Sequence, residues 1–277
     1  MDVCTNIWNG SETRTSYVIA KAGGLKIQTI HSFCASLLRR FPLEADVSPQ
    51  FKEIEERAAD MLRGEIMDMM ADGSEAGLVA ALANQYSGED FLRLTREIVS
   101  HRAAFANPLA WDDCLALFGQ AAGLDEAGIE GLAFQGGERQ LLDQLIPVLI
   151  AKGGNDGKAG EKLKMVSTLS LKSLPVLESV FLTGGSAKDP FSAKLGTFPT
   201  KATQSNVEAL MPHLKAFMLR VEDTRDRRLA LQSARRTQVL HDFAHAFVGK
   251  YEQAKLVRGW LDFDDLILKA RHLLNDE

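Results

Sequence analysis

Cysteine is scarce in this chain: three in 277 residues, at positions 4, 34 and 114. An odd number so widely spaced excludes a disulfide framework and a zinc knuckle and fits a reducing compartment, so the expected location is the cytoplasm. Long apolar runs are missing as well. Nothing approaches the roughly 18–20 residues needed to span a membrane. The first two dozen residues lack a charged segment followed by an apolar one, so no secretory signal is expected. Several catalytic signatures are absent: no G-x-x-x-x-G-K-[ST], no H-E-x-x-H, no C-x-x-C and no G-x-S-x-G. No self-contained active site, catalytic residue or metal centre is therefore expected. His241 and His245 stand four apart on one helix face, but no third ligand accompanies them.

Strand patterning is thin too. Only "LKIQTI" (25–30) reads as a strand, and one strand cannot satisfy its own backbone donors and acceptors. What the chain does have is helical periodicity. Hydrophobic residues make up 45% of it, enough for a real core. The expected fold is mainly α, a multi-helix subdomain with one long helix and at most a short strand near residues 25–30.

The spacing predicts a helix from Ser32, with Phe33, Leu37 and Leu38 on one face and Pro42 beyond its end. A second is predicted to open with Ser48 as cap and Pro49 at its first position, burying Phe51, Ile54, Ala58, Met61, Leu62 and Ile66. Ser87 and Asp90 stand in capping-box spacing before a third. Further amphipathic segments cover about 109–121, 125–134, 138–151 and 161–181. Residues 151–160 and 183–206 read as loops, and the second is long enough to be functional or mobile. From Val207 the period resumes, with Pro212 starting or kinking the helix. It then runs for about 45 residues, roughly 65 Å, to a stop at Gly259. A short helix closes the sequence over "WLDFDDLILKARHLL".

The net charge of −5 hides an asymmetry. Residues 44–143 carry 7 positive and 20 negative side chains, whereas residues 215–258 carry 10 and 5. The basic ends leave room for a polyanion on a local face.

Two constellations stand out. In Thr29-Ile30-His31-Ser32-Phe33, hydroxyls and a histidine crowd a helix start. Thr29 or Ser32 can simply cap the helix; equally, free N–H groups and hydroxyls there can bind phosphate oxygens, with His31 donating or stacking on a base. In Leu261-Asp262-Phe263-Asp264-Asp265-Leu266, Asp262 can cap while Asp264 and Asp265 favour the helix dipole. Adjacent residues on a helix point apart, so these three carboxylates do not make a metal cage by themselves.

"TIHSF" followed far downstream by "LDFDDL" resembles the UvrD/Rep superfamily 1 DNA helicases, where a T-x-H-x-F and a D-F-x-D-L element bracket the helical insertion called 1B. "GGLKIQTIHSFCASLLRRFPLEADVSPQF" and "YEQAKLVRGWLDFDDLILKARHLL" look like the AddA-type helicase-nuclease in its alphaproteobacterial form. The resemblance is close over 23–62 and 240–274, loose between, and fails over 1–20. Residues 184–206 depart from the pattern. It implies that residues 1–42 are a remnant of motor domain 1A, 43–258 the 1B-like insertion and 259–277 the return into 1A. It implies DNA contacts at Thr29, His31, Ser32, Phe263 and Asp264, with Asp262 and Leu266 holding their segment and Phe33 anchoring its helix. Arg225, Arg228 and Arg235, in the Arg-rich stretch 220–236, are candidates for duplex phosphates; intrahelical pairs such as Glu222 with Arg225 and Asp223 with Arg227 are the alternative.

The resemblance further implies that the chain is a DNA-contacting piece of an ATP-dependent helicase of double-strand break repair and recombination. ATP and Mg²⁺ would serve the parent protein, and this chain would hold no cofactor and hydrolyse no ATP alone. The implied partners are single-stranded and duplex DNA and an AddB-like protein, with no membrane. The alternatives are a nuclease-free UvrD/Rep-type helicase and a free-standing helical interaction module.

Overall fold

The structure is a computed structural model describing residues 28–86 and 90–275. In chain order its elements are α1 (Ile30–Arg40), β1 (Lys52–Glu53), α2 (Glu56–Asp72), α3 (Ala76–Gln85), α4 (Phe91–Ser100), α5 (Trp111–Leu117), α6 (Glu126–Ala133) and α7 (Glu138–Lys152). They continue with α8 (Gly154–Lys164), α9 (Leu174–Phe181), α10 (Lys201–Gln204), α11 (Met211–Arg258), β2 (Trp260–Leu261) and α12 (Phe263–Asn275). The protein is mainly α, as the periodicity implies. Its described residues divide into a unit formed by 28–73, 90–102 and 247–275 and a unit formed by 74–86 and 103–246.

In the first unit, β1 and β2 pair in parallel, Lys52 beside Trp260 and Glu53 beside Leu261. This pairing corrects the predicted helix start. Ser48 does not cap a helix; its carbonyl accepts the Phe51 N–H at 3.0 Å in a turn. The chain then extends, donating from Lys52 and Ile54 to Gly259 and Leu261 at 2.9 Å. The helix begins only at Glu56. Phe51 and Ile54 are buried, but from extended backbone, where a three-residue spacing mimics a helical stripe. Met61 likewise faces solvent, and Ala59, Leu62, Ile66 and Met70 form the inward stripe of α2.

Helix α1 also turns differently from expectation. Its buried residues are Cys34, Ala35 and Leu38, packed with Leu261, Leu266 and Ala270. Small side chains on both helices permit that contact, and Phe33 is left half exposed rather than anchoring the helix. Of the expected strand at 25–30, Leu25–Ile27 lie outside the described residues. Thr29 is extended and Ile30 is already helical. Asp90 caps α4, accepting from the Leu92 and Arg93 N–H groups at 3.0 and 3.3 Å; Ser87 lies outside the described residues.

The second unit buries Leu142, Leu145 and Leu149 of α7 against Leu163, Leu177, Phe181, Leu214, Phe217 and Val221. The expected loop over 151–160 is largely helix. Gly153 and Gly154 turn the chain at φ +71° and +60°, and α8 folds back on α7. A Cβ built on Gly160 would stand 2.9 Å from Ile150 Cγ1, so glycine serves here for close approach rather than for a loop. The expected helix over 161–181 breaks between Lys164 and Leu174, leaving one 3-10 turn at Leu171–Ser173.

The long segment 183–206 is irregular up to α10, and it is tied down. Leu182 bridges to Ala193, and the buried Asp156 carboxylate accepts from the Thr200 N–H (3.1 Å) and from the Thr200 and Thr203 hydroxyls (both 2.6 Å). Helix α11 is 48 residues long, with Pro212 in its first turn and a stop at Gly259, φ +63°. Pro212 therefore starts the helix, where its missing N–H costs nothing.

Candidate nucleic-acid interface

The two sequence constellations, at opposite ends of the chain, come together in the first unit. Thr29 is the N-cap of α1: its Oγ1 accepts the Ser32 N–H at 3.2 Å and donates to Ser32 Oγ at 3.0 Å. That arrangement resolves the capping question in favour of Thr29 and leaves both hydroxyls on the exposed face. His31, in the first turn, meets the ring of Phe263, the first residue of α12, at 4.7 Å between centroids and 46° between planes. Ile30, Phe33 and Phe263 remain 44–60% exposed around this contact. A half-open aromatic pair beside hydroxyls and a helix N-terminus offers a π-surface for a base and donors for a phosphate.

The turn that presents Phe263 is built from its neighbours. Asp265 N–H donates to Asp262 Oδ1 at 2.8 Å, and Asp262 N–H donates to Asp265 Oδ2 at 2.9 Å, a reciprocal cap. Leu266 is fully buried. Two cations, which the sequence reading missed, bind the same carboxylates. Arg102 donates to Asp265 at 2.8 Å, Asp262 at 3.1 Å and Asp264 at 3.4 Å, and its Nε lies 3.5 Å from Glu252. Lys255 Nζ lies 2.6 Å from Asp265, 2.8 Å from Asp262 and 2.9 Å from Glu252. Lys255 is only seven residues before Asp262, but α11 ends between them at Arg258 and Gly259 turns the chain, so helical spacing does not relate the two. Arg102 carries no local signal; only the fold brings it there.

Burial acts against the charges of Asp262, Lys255, Arg102 and Glu252, and at all but Glu252 the pairing outweighs it. The Asp262 carboxyl would be pushed up by burial, but Lys255 and Arg102 hold it below the ordinary range. Burial would lower Lys255 and Arg102, and the surrounding carboxylates raise both. For Glu252 burial wins and its pKa is raised. The Tyr251 phenol beneath, enclosed and near Asp262, is pushed up to about 12. Glu252, Asp262 and Asp265 have the spacing of a cation-binding trio, and among the described residues the cations they hold are the Lys255 ammonium and the Arg102 guanidinium.

The remaining candidates lie in the second unit. Arg228 is engaged by Glu178 through two parallel bonds of 2.7 and 2.8 Å. Arg225 lies over the Phe191 ring at 3.6 Å and beside Asp226 at 3.1 Å. Arg235 pairs with Glu126 and stays partly open to solvent. Their partners come mostly from other segments rather than from the intrahelical pairs considered above; Glu222 instead accepts the Ala193 N–H at 3.1 Å. His245 Nδ1 meets the Phe105 carbonyl at 2.8 Å and the His241 ring meets that of Phe105 edge-on, so both histidines have packing partners.

Residues 10–277 match the profile of the UvrD/REP helicase N-terminal domain. The chain belongs to that family of helicases. It is also similar to proteins named as the A subunit of an ATP-dependent helicase/nuclease. With that of Desulforudis audaxviator (strain MP104C) it shares 35% identity over 113 residues, 38% of this chain and 9% of the relative. With that of Listeria monocytogenes serotype 4a (strain HCC23) it shares 28% over 100 residues, 33% and 8%. The matched stretch thus spans under a tenth of either relative. Among the described residues no helix is long and apolar enough to cross a membrane.

Proposed function

We propose that this chain is the part of an AddA-type, ATP-dependent DNA helicase-nuclease that contacts single-stranded DNA, in a cytoplasmic protein of double-strand break repair and recombination. One observation carries the reading: His31 and Phe263, each from one of the two helicase-like motifs, form a single half-exposed aromatic pair. Bases of any sequence stack on such a surface, which suits an enzyme that moves along DNA without reading it. Thr29 and Ser32 supply hydroxyls beside it for the backbone, and Asp264 follows Phe263 on the exposed first turn of α12.

ATP and Mg²⁺ would act in the whole protein. Two observations support a site for them elsewhere than in this chain: the sequence has no glycine-rich loop ending in Lys-Ser/Thr, and among the described residues the carboxylate trio is engaged by Lys255 and Arg102. An AddB-like protein is the proposed partner. The test is a titration of the full chain against a fluorescently labelled single-stranded oligonucleotide over a series of salt concentrations. Binding that weakens with salt, and weakens again in His31→Ala and Phe263→Ala, is expected. Binding indifferent to both substitutions would overturn the reading, as would ATP turnover by this chain that a substitution within it abolishes.

A further inference from the structure

We infer that Arg102 is a positioning residue for the DNA-contacting turn: with Lys255 it clamps Asp262, Asp264 and Asp265 so that Phe263 is held against His31. The inference rests on the proposed DNA contact for its functional consequence, but its structural half stands on geometry alone. Phe263 lies between Asp262 and Asp264 in sequence, and Arg102 reaches carboxylates on both sides of it and a third beyond them. Its planar fork carries five donors in a fixed plane, two more than an ammonium in its place would supply, enough for these carboxylates and a backbone carbonyl together. Its Nη1 also lies 3.4 Å from the Val99 carbonyl, tying the turn to the end of α4. The Arg102 side chain is only 11% exposed, so it acts on DNA through its neighbours.

The charge balance explains why the clamp is needed. Glu252, Asp262, Asp264 and Asp265 gather around Phe263's turn, and Arg102 and Lys255 offset them. Without Arg102, four carboxylates would face a single ammonium. Their repulsion would open the reciprocal cap, and the half-exposed Phe263 ring has little packing of its own to keep it in place.

Two measurements on the full chain test this. The first needs no DNA: the NMR cross-relaxation between the His31 and Phe263 rings, in the wild type, Arg102→Gln and the milder Arg102→Lys, with circular dichroism to check that each variant folds. Loss of the contact in a folded Arg102→Lys, which keeps the charge but not the fork, is expected. Persistence of the contact in both folded variants would overturn the proposal. The second is a double-mutant cycle on oligonucleotide affinity. Arg102→Lys is expected to weaken binding roughly tenfold, about the loss of one stacked base, and to add nothing in the Phe263→Ala background. An equal loss in both backgrounds would overturn action through Phe263. If the ring contact is lost but Phe263→Ala binds DNA normally, the positioning role is supported and it is the DNA reading that fails.

Discussion

His31 lies in the first turn of α1 and Phe263 opens α12, and their rings meet at 4.7 Å although they lie near opposite ends of the sequence. The pair exists because two helix starts are brought side by side, each with its own cap: Thr29 for one, Asp262 for the other. Neither ring could present the same surface alone.

Removing either ring should therefore cost about what removing the pair costs. His31→Ala and Phe263→Ala are each expected to weaken single-strand binding by about 1–3 kcal/mol, with the double variant well short of the sum. Anisotropy titrations of the three variants measure this. Strict additivity would mean that the rings act separately.

Acid should unfold the protein in a way traceable to particular carboxyls. At Asp262, Asp156 and Glu138, burial pushes the pKa up but ion pairs and hydrogen bonds bring each below its ordinary value. A lowered folded-state pKa means that the unfolded chain takes up the proton first as pH falls. The stabilisation is complete above the unfolded-state range, about 4, and is lost as pH drops through the lower folded-state values. Thermal melts over an acid series should show this fall, and Asp156→Asn should flatten part of it. A variant with the wild-type slope would remove Asp156 from the account.

Gly160→Ala adds one methyl where Ile150 Cγ1 would lie 2.9 Å and Leu149 Cβ 3.0 Å away. An exposed helical Gly→Ala change normally stabilises. Here overpacking between α7 and α8 should reverse the sign, at a cost of about 1–3 kcal/mol. Denaturant titration decides it, and a gain in stability would show that the two helices part freely.

Arg228 and Arg235 should separate stability from binding. Arg228 is forked onto Glu178 with both side chains mostly buried, so Arg228→Ala should cost about 1–3 kcal/mol, less than a fully buried pair. Arg235 is 40% exposed, and Arg235→Ala should cost under about 1 kcal/mol. If either touches duplex phosphate it is Arg235, and its loss should then lower the salt slope of duplex binding by about one unit. An unchanged slope in Arg235→Ala would take that arginine out of the interface.

Much of the fold was legible because helices announce themselves locally. The 48-residue α11 could be read from its period, its early proline and its terminal glycine. The misreadings share one cause: spacing is ambiguous when tertiary contacts choose between its meanings. Phe51 and Ile54 fit a helical stripe but lie in extended backbone, because β2, far away in sequence, supplies hydrogen bonds to that segment. Gly153 to Gly160 look like loop residues, yet most of them belong to α8, where Gly160 lets two helices touch. At the site, the motifs themselves were visible and so was Asp262's cap. Arg102 was not, since a charge that acts at a distance of 160 residues leaves no pattern near itself.

The parallel pairing of Lys52 with Trp260 has a consequence for descent. Paired strands run about 4.8 Å apart, so the chain departs and returns at adjacent points. Everything between Glu53 and Trp260 is a closed excursion. A lineage can lengthen, shorten or exchange its outer helices, and the two strand ends still find the same register. A graft cut at Ile54 and Gly259 would carry Arg102 and Lys255 with it, so the excursion and the Asp262-to-Asp265 turn they hold must be exchanged together.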